Sequence, residues 1–305
     1  MKSNKYCKLE LSNNRVIKYQ RKIGITQEYY RSTPELEILE LLNKYDINVP
    51  QVLEKNDDYF MEEYINGDLL ASIYNDGCNI DTIDIDSIIN NILLLITIDY
   101  HELDKFKKWN NVTEFFEFQI SNTEKMWNYY KTKYNNFYKI LNVNENIISI
   151  LKQLSKQINS SRPLCLIHGD RHKNNMIKKN KKLYFIDWEL GCVGDIAYDI
   201  AFHIHQMKYC SSDLNYFIMQ LEDKLPKQFK SAISDINAYM KFITVRSVVY
   251  YVKIINDCSY SDELFEKFYF RLKTLNKYND FSINLDNKEN LKTLLKKEKN
   301  VLWKI

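Results

Sequence analysis

Asp170, Asn175 and Asp187 are the residues whose types and spacing could together do chemistry. Asp170 follows an apolar run, Leu164-Cys165-Leu166-Ile167, and the pair His168-Gly169. Asn175 comes after it with four residues between. A basic turn, Lys178 to Lys182, leads to a second apolar run, Leu183-Tyr184-Phe185-Ile186, which ends on Asp187. Carboxylate and amide oxygens are the ligands that a hard cation such as Mg²⁺ prefers. An acid, an amide and a second acid at the ends of short strands suit phosphoryl transfer. One acid takes the proton of an attacking hydroxyl, while the amide and the other acid hold the metal against phosphates. An isolated Asp-x-x-x-x-Asn is better explained by turn hydrogen bonds, for which both residue types are common. Its placement after His-Gly, between apolar runs and ahead of a strand ending in Asp, favours the chemical reading.

Such a set needs strands to aim it and helices to enclose it. Residues 5–11 and 15–19 read as two strands around Ser12-Asn13-Asn14, a hairpin turn. A polar connection with Gly24 and Thr26 follows. Thr33-Pro34-Glu35 has the form of a helix start, with a hydroxyl at the N-cap and proline at the first helical position. Leu36, Ile38, Leu39, Leu41 and Leu42 then make an apolar helical stripe. Val52-Leu53 and the segment Tyr59 to Ile65 read as strands, and Gly67 breaks the pattern. The first 65 residues are therefore a small α+β unit. Beyond Asp68 the pattern turns helical: 84–104, 112–140 and 145–158 before the motif block, then 195–208, 212–224, 227–256, 261–278 and 287–300 after it.

Composition narrows the function classes. The chain is 45% hydrophobic and 27% charged with a net charge of +3, so it folds, and its charge balance gives no argument for nucleic acid. The basic runs Lys178–Lys182 and Lys296–Lys299 read as solvated surface. Six cysteines lie far apart with no Cys-x-x-Cys pair, as expected of reduced thiols in the cytoplasm rather than a zinc site. The N-terminus has no apolar core of a signal peptide, and Ile92 to Ile98 is too short to span a bilayer.

Three motifs carry a resemblance. His168-Gly169-Asp170-x-His172-x-x-Asn175, then Ile186-Asp187-Trp188-Glu189, then Gly194-Asp195-x-Ala197-Tyr198-Asp199-Ile200-Ala201 resemble the aminoglycoside phosphotransferase and choline kinase superfamily in order and spacing. The resemblance implies an α+β, two-lobed, protein-kinase-like fold. Residues 1–66 would be a β-rich nucleotide-binding lobe, and 67–305 a mainly helical catalytic and acceptor-binding lobe. It implies Asp170 as catalytic base and Asn175 and Asp187 as Mg²⁺ ligands, with ATP or GTP as phosphate donor. His168 would brace the catalytic loop; Asp195 and Asp199 would cap and anchor the next helix. Lys18 falls where the nucleotide-phosphate lysine belongs, and Glu35 where its ion-pair partner belongs, with Glu37 as competitor. The stretch Tyr59 to Gly67 resembles the last strand of the small lobe and the hinge. Adenine would bind backbone near Glu63 to Ile65, with Met61 lining the pocket.

The chain departs from the family at its start. The family opens with a strand and a glycine-containing loop over the phosphates, whereas here no glycine precedes Gly24. A nucleotide-binding pseudokinase with little turnover is therefore the alternative reading. The acceptor implied by the resemblance is a small, cationic, hydroxyl-bearing molecule, aminoglycoside-like or a choline-type amino alcohol. Trp127, Trp188, Tyr250 and Tyr251 are rings that could face such a cation, or pack in the core. No nucleic acid and no membrane partner is expected.

Overall fold

The computed structural model describes residues 9–12, 15–19, 35–57, 59–106, 108–134, 147–158, 161–257, 261–278, 285 and 288–301. The expected turn at 13–14, the Gly24–Thr26 connection, the Thr33-Pro34 helix start and the end of the helix expected at 112–140 lie outside these residues. The described chain is α+β: helices with small antiparallel sheets. None of the described helices is long and apolar enough to cross a membrane.

Contacts divide the chain into two compact units, each discontinuous in sequence. One contains residues 1–112 and 161–236, the other 113–160 and 237–305. Every candidate site residue falls in the first.

The first unit begins with strands β1 (Leu9–Ser12) and β2 (Arg15–Tyr19), helix α1 (Glu35–Leu42), and strands β3 (Val52–Lys55) and β4 (Tyr59–Glu63). They form an antiparallel sheet of order β1-β2-β4-β3. Lys18 pairs with Phe60 and Val16 with Glu62. Because side chains alternate along a strand, Lys18, Phe60 and Glu62 share one face. Helix α1 buries Ile38, Leu39, Leu41 and Leu42, the stripe expected from their spacing.

Strand β5 (Asp68–Leu69) runs into helix α2 (Leu70–Ile73), and helices α3 (Thr82–Leu95) and α4 (Tyr100–Leu103) follow. The single helix expected over 84–104 is thus two. Asp99 accepts from the His101 amide at 2.8 Å and starts the second one. No Gly or Pro marks the break; Asp99 caps the second helix and its own amide donates to the Tyr45 hydroxyl at 3.3 Å.

The motif block supplies β6 (Cys165–Ile167), β7 (Met176–Lys179), β8 (Lys182–Phe185) and β9 (Cys192–Gly194). Strands β5, β7 and β8 form one antiparallel sheet and β6 with β9 another. Helices α7 (Ile196–Met207) and α8 (Ser211–Lys224) follow. Ile85, Ile88, Ile89 and Ile92 of α3, Leu166 and Ile167 of β6, and Ile196, Ile200 and Ala201 of α7 are buried. These rows set the apolar layer beneath the motif block.

The second unit contains most of α5 (Val112–Lys133), α6 (Ile147–Ser155), most of α9 (Ser231–Asp257), α10 (Asp262–Leu275) and α11 (Lys288–Val301). Its core is aromatic: the Phe116 ring lies 4.6 Å from Tyr239 and 5.1 Å from Phe242. Trp127 is buried in it, while Tyr250 is half exposed.

Candidate active site

Gly169 lets the catalytic loop turn. Its φ is +75°, and a Cβ there would meet the Leu190 carbonyl oxygen at 2.3 Å. Only glycine fits both the left-handed backbone and the close approach. Its amide donates to Asp199 Oδ1 at 2.9 Å. Asp199 Oδ2 in turn takes Arg171 Nε at 3.0 Å, and Arg171 donates its Nη1 to Asn91 Oδ1 at 2.6 Å. The guanidinium is fully buried, with its carbon 5.2 Å from the Phe185 ring centre. Burial works against the Asp199 carboxylate, yet Arg171 and His168 hold its pKa below the ordinary range. The two residues flanking Asp170, Gly169 and Arg171, are thus anchored from beneath through Asp199, and the buried arginine is one that the motif alone did not single out.

His168 braces the same loop. Its Nε2 meets the Ile186 carbonyl at 3.1 Å and its Nδ1 accepts the Asp170 amide at 3.3 Å. A carbonyl only accepts, so Nε2 carries the proton. Burial, followed by the Arg171 charge, lowers the pKa to about 4, and the ring stays neutral at physiological pH. It therefore joins Asp170 to the strand end that carries Asp187.

Asp170 itself is half-buried. Asn175 Nδ2 donates to its backbone oxygen at 3.1 Å and to Oδ2 at 3.3 Å, and His172 Nε2 lies 3.3 Å from the same Oδ2. His172 Nδ1 accepts the Asn174 amide at 3.1 Å and caps the short turn that carries Asn175. Burial opposes a charged His172, but the Asp170 carboxylate outweighs it and raises the imidazole's pKa. With Nδ2 turned to Asp170, Asn175 Oδ1 has no partner among the described residues and is available to a cation.

Asp187 sits in the left-handed region, φ 63° and ψ 64°. Asp tolerates this conformation better than most residues, and such backbone is common where function fixes geometry. Loss of water around the carboxyl, then the charge of Glu35, against the pull of Lys18 and with Glu189 and Asp170 adding, raises its pKa to about 7. The next residue is tied down: the Trp188 amide donates to Glu35 Oε1 at 3.0 Å, and the buried Trp188 indole donates to the Phe185 carbonyl at 3.0 Å. Trp188 is therefore spent on packing and is not free to face a cation.

Glu35 also accepts Lys18 Nζ, at 2.5 Å. This is the expected ion pair, and it links β2, α1 and the turn after Asp187. Sequence reasoning missed Glu62, whose Oε1 lies 3.1 Å from the same ammonium. Both Lys18 and Glu62 are buried. Burial disfavours the ammonium, but Glu35, Glu62 and Asp187 together raise its pKa further above the ordinary lysine value. Burial, then Glu35, against Lys18, pushes the Glu62 carboxyl up to about 7. Its Oε2 is buried without a hydrogen-bond partner.

The strand's alternation corrects one expectation. Met61 pairs with Ile17 and takes an Arg15 hydrogen bond on its sulfur at 3.6 Å. It lies on the face opposite Lys18, while Glu62 stands on the Lys18 face. Glu63 is on the Met61 face with Lys179 at 3.5 Å, and Ile65 is buried just past the strand. Counting by twos from Phe60, the register partner of Lys18, would have found Glu62.

Asp195 N-caps α7 through the Ala197 amide at 3.0 Å. Arg162 grips it with Nε at 2.7 Å and Nη2 at 2.6 Å, and reaches Asp235 with Nη1 at 2.5 Å.

Among the described residues no three His, Cys, Asp or Glu side chains converge as a metal site. The oxygens of Asn175 and Asp187 do fit Mg²⁺, which usually takes one or two protein ligands and leaves other positions to water and phosphate. A carboxyl crowded by other acids also gains from a divalent cation beside it.

Residues 26–225 match the profile of the phosphotransferase enzyme family, APH. The Protein LicA homolog of Metamycoplasma hominis is 30% identical over 195 residues, which span 64% of this chain and 64% of that protein. Among solved structures, Plasmodium vivax ethanolamine kinase aligns over 90% of this chain and 83% of its own, with a TM-score of 0.61 and 17% identity. Choline kinase LicA from Streptococcus pneumoniae aligns over 91% and 92%, with a TM-score of 0.59 and 18% identity. At these identities the structural likeness establishes the fold, and the fold is protein-kinase-like.

Proposed function

Because the chain belongs to the phosphotransferase enzyme family, we propose that it moves the γ-phosphate of ATP or GTP to a hydroxyl of a small cationic molecule. The observation that carries this reading is the Asp170–Asn175 pair. The amide holds the carboxylate through Nδ2 and keeps Oδ1 for a cation. Asp170 would accept the proton of the acceptor hydroxyl as it attacks. Its orientation is set by Asn175, His172 and the His168 bond to its amide. Asn175 and Asp187 would hold Mg²⁺. An ion held there would supply positive charge against the phosphates as negative charge develops on them. Lys18, held by Glu35, would steady the remaining phosphates. On this reading residues 1–66 carry the nucleotide, with backbone near Glu63 to Ile65 meeting the base, and residues 67–305 carry catalysis and the acceptor.

A choline- or ethanolamine-type amino alcohol is the acceptor favoured by the names of the relatives; an aminoglycoside is the larger member of the same cationic class. The metal assignment is tested by nucleotide binding with and without Mg²⁺ in Asp187→Asn. The expected result is a loss of about tenfold or more in the Mg²⁺-dependent affinity. An Asp187→Asn protein that binds Mg-nucleotide as tightly as the parent would remove Asp187 as a ligand.

A further inference from the structure

Beneath the catalytic loop, within the first unit, lies a pocket of about 130 Å³ that is half open to solvent. Asp46 and Asn48 line it from the turn after α1; Ser87, Asn90, Asn91 and Leu94 line it from α3; Phe185 lines it from the end of β8. Positions 87, 90 and 91 are three and four apart, so they share one helix face. No lysine or arginine lines the space. It is rich in oxygen and carries one carboxylate.

The hydrogen-bond accounts of these side chains define what would fit. Asp46 only accepts, and it has no partner among the described residues. Ser87 Oγ gives its proton to the Ile83 carbonyl at 2.8 Å and presents lone pairs. The side chains of Asn48 and Asn90 have no partners among the described residues. Asn91 is 4% exposed, and its Oδ1 is taken by Arg171. Its Nδ2 has no acceptor among the described residues, though Asn91 lines the cavity. That donor therefore faces the pocket and is open to a ligand's acceptor. The complement is a molecule with several N–H donors on a positive charge and one oxygen acceptor nearby. The space has room for a ligand of a few heavy atoms, part of which would stay in contact with water.

We propose that this cavity is a second, non-catalytic binding site for a small primary ammonium compound bearing an oxygen acceptor. Its ammonium meets Asp46, Ser87 and the amide oxygens of Asn48 and Asn90, and its oxygen meets Asn91 Nδ2. The wall of the site is also the underside of the catalytic machinery. Asn91 continues through Arg171 and Asp199 to the Gly169 amide. The Asn48 backbone carbonyl accepts the Phe185 amide at 2.9 Å, two residues before Asp187. Occupancy therefore bears on the loop that carries Asp170. The site rests on this geometry alone and not on the proposed reaction.

The test is calorimetric titration of the full chain with 2-methoxyethylammonium, which has no hydroxyl to phosphorylate. The parent protein should bind it. Asp46→Asn, at an exposed position, and Asn90→Leu, on the exposed shoulder of α3, should each weaken binding about tenfold, near 1.4 kcal/mol. Asp170→Ala should leave it unchanged. Neutral 2-methoxyethanol should bind at least about tenfold more weakly than the ammonium. No binding by the parent, or equal binding by Asp46→Asn, would overturn the site. Binding lost in Asp170→Ala but kept in Asp46→Asn would place the probe in the acceptor pocket and overturn it as well. Binding that follows the expected pattern in a protein without phosphoryl transfer would leave the cavity standing and the proposed function fallen.

Discussion

Replacing Glu62 by Gln is expected to stabilise this protein above neutral pH. Glu62 is buried beside Lys18, with one oxygen at 3.1 Å from the ammonium and the other unpartnered. Glu35 is the ammonium's closer partner at 2.5 Å. One positive charge is thus shared by two buried acids, and the second is poorly compensated. Its pKa rises from 4.5 to about 7. A group with a raised folded pKa contributes stability that is complete below the unfolded value and is lost as pH rises through the folded value. For Glu62 that loss runs from about pH 4.5 to about pH 7. At roughly 1.4 kcal/mol per pKa unit, ionised Glu62 costs on the order of 3 kcal/mol at pH 8. Gln resembles the neutral acid in shape, so the variant escapes this cost and keeps the Lys18–Glu35 pair. Thermal unfolding of both proteins, at equal ionic strength and without nucleotide or divalent ions, reads the difference. At about 2–4 °C per kcal/mol, Glu62→Gln should unfold several degrees above the parent at pH 8 and close to it at pH 4.5. A variant that is less stable at pH 8, or shifted equally at both pH values, would refute the reasoning. Glu62 would then be a fully ionised, stabilising partner of Lys18.

Two further substitutions probe the scaffold. Arg162→Met leaves Asp195 and Asp235 without their guanidinium, and denaturant unfolding should show a loss of about 3–5 kcal/mol, the range for breaking a buried ion pair. Gly169→Ala forces a side chain into left-handed backbone against the Leu190 carbonyl. Because Asp170 is the next residue, turnover should fall by about a hundredfold, while circular dichroism at room temperature stays that of the parent.

The motif block was legible because its chemistry and its strands coincide. Apolar runs of three or four residues end on His168 and Asp187, and β6 and β8 occupy those runs. The Lys18–Glu35 pair was legible from the resemblance, and the structure joins the two between β2 and α1 at 2.5 Å. Other features needed three dimensions. The face that Met61 presents depends on which residue of β4 opposes Lys18, and one residue of slip reverses it. The break between α3 and α4 has no glycine or proline, only Asp99, whose capping role is one of several that an Asp can fill. Arg171 is an unassigned position of the motif, and its partners Asp199 and Asn91 lie far from it in sequence. The two contact units could not be read from local pattern, because each joins segments separated by the other.

The central claim is that Asp170 activates a hydroxyl for phosphoryl transfer. Mass spectrometry of choline, ethanolamine, aminoglycosides and sugars, each incubated with the protein, Mg²⁺ and ATP or GTP, tests it directly. The account predicts a phosphorylated amino alcohol or aminoglycoside from the parent protein and none from Asp170→Ala, which should still bind nucleotide. Product formed at the same rate by Asp170→Ala, or a parent protein that binds Mg-nucleotide yet phosphorylates none of these acceptors, would contradict it.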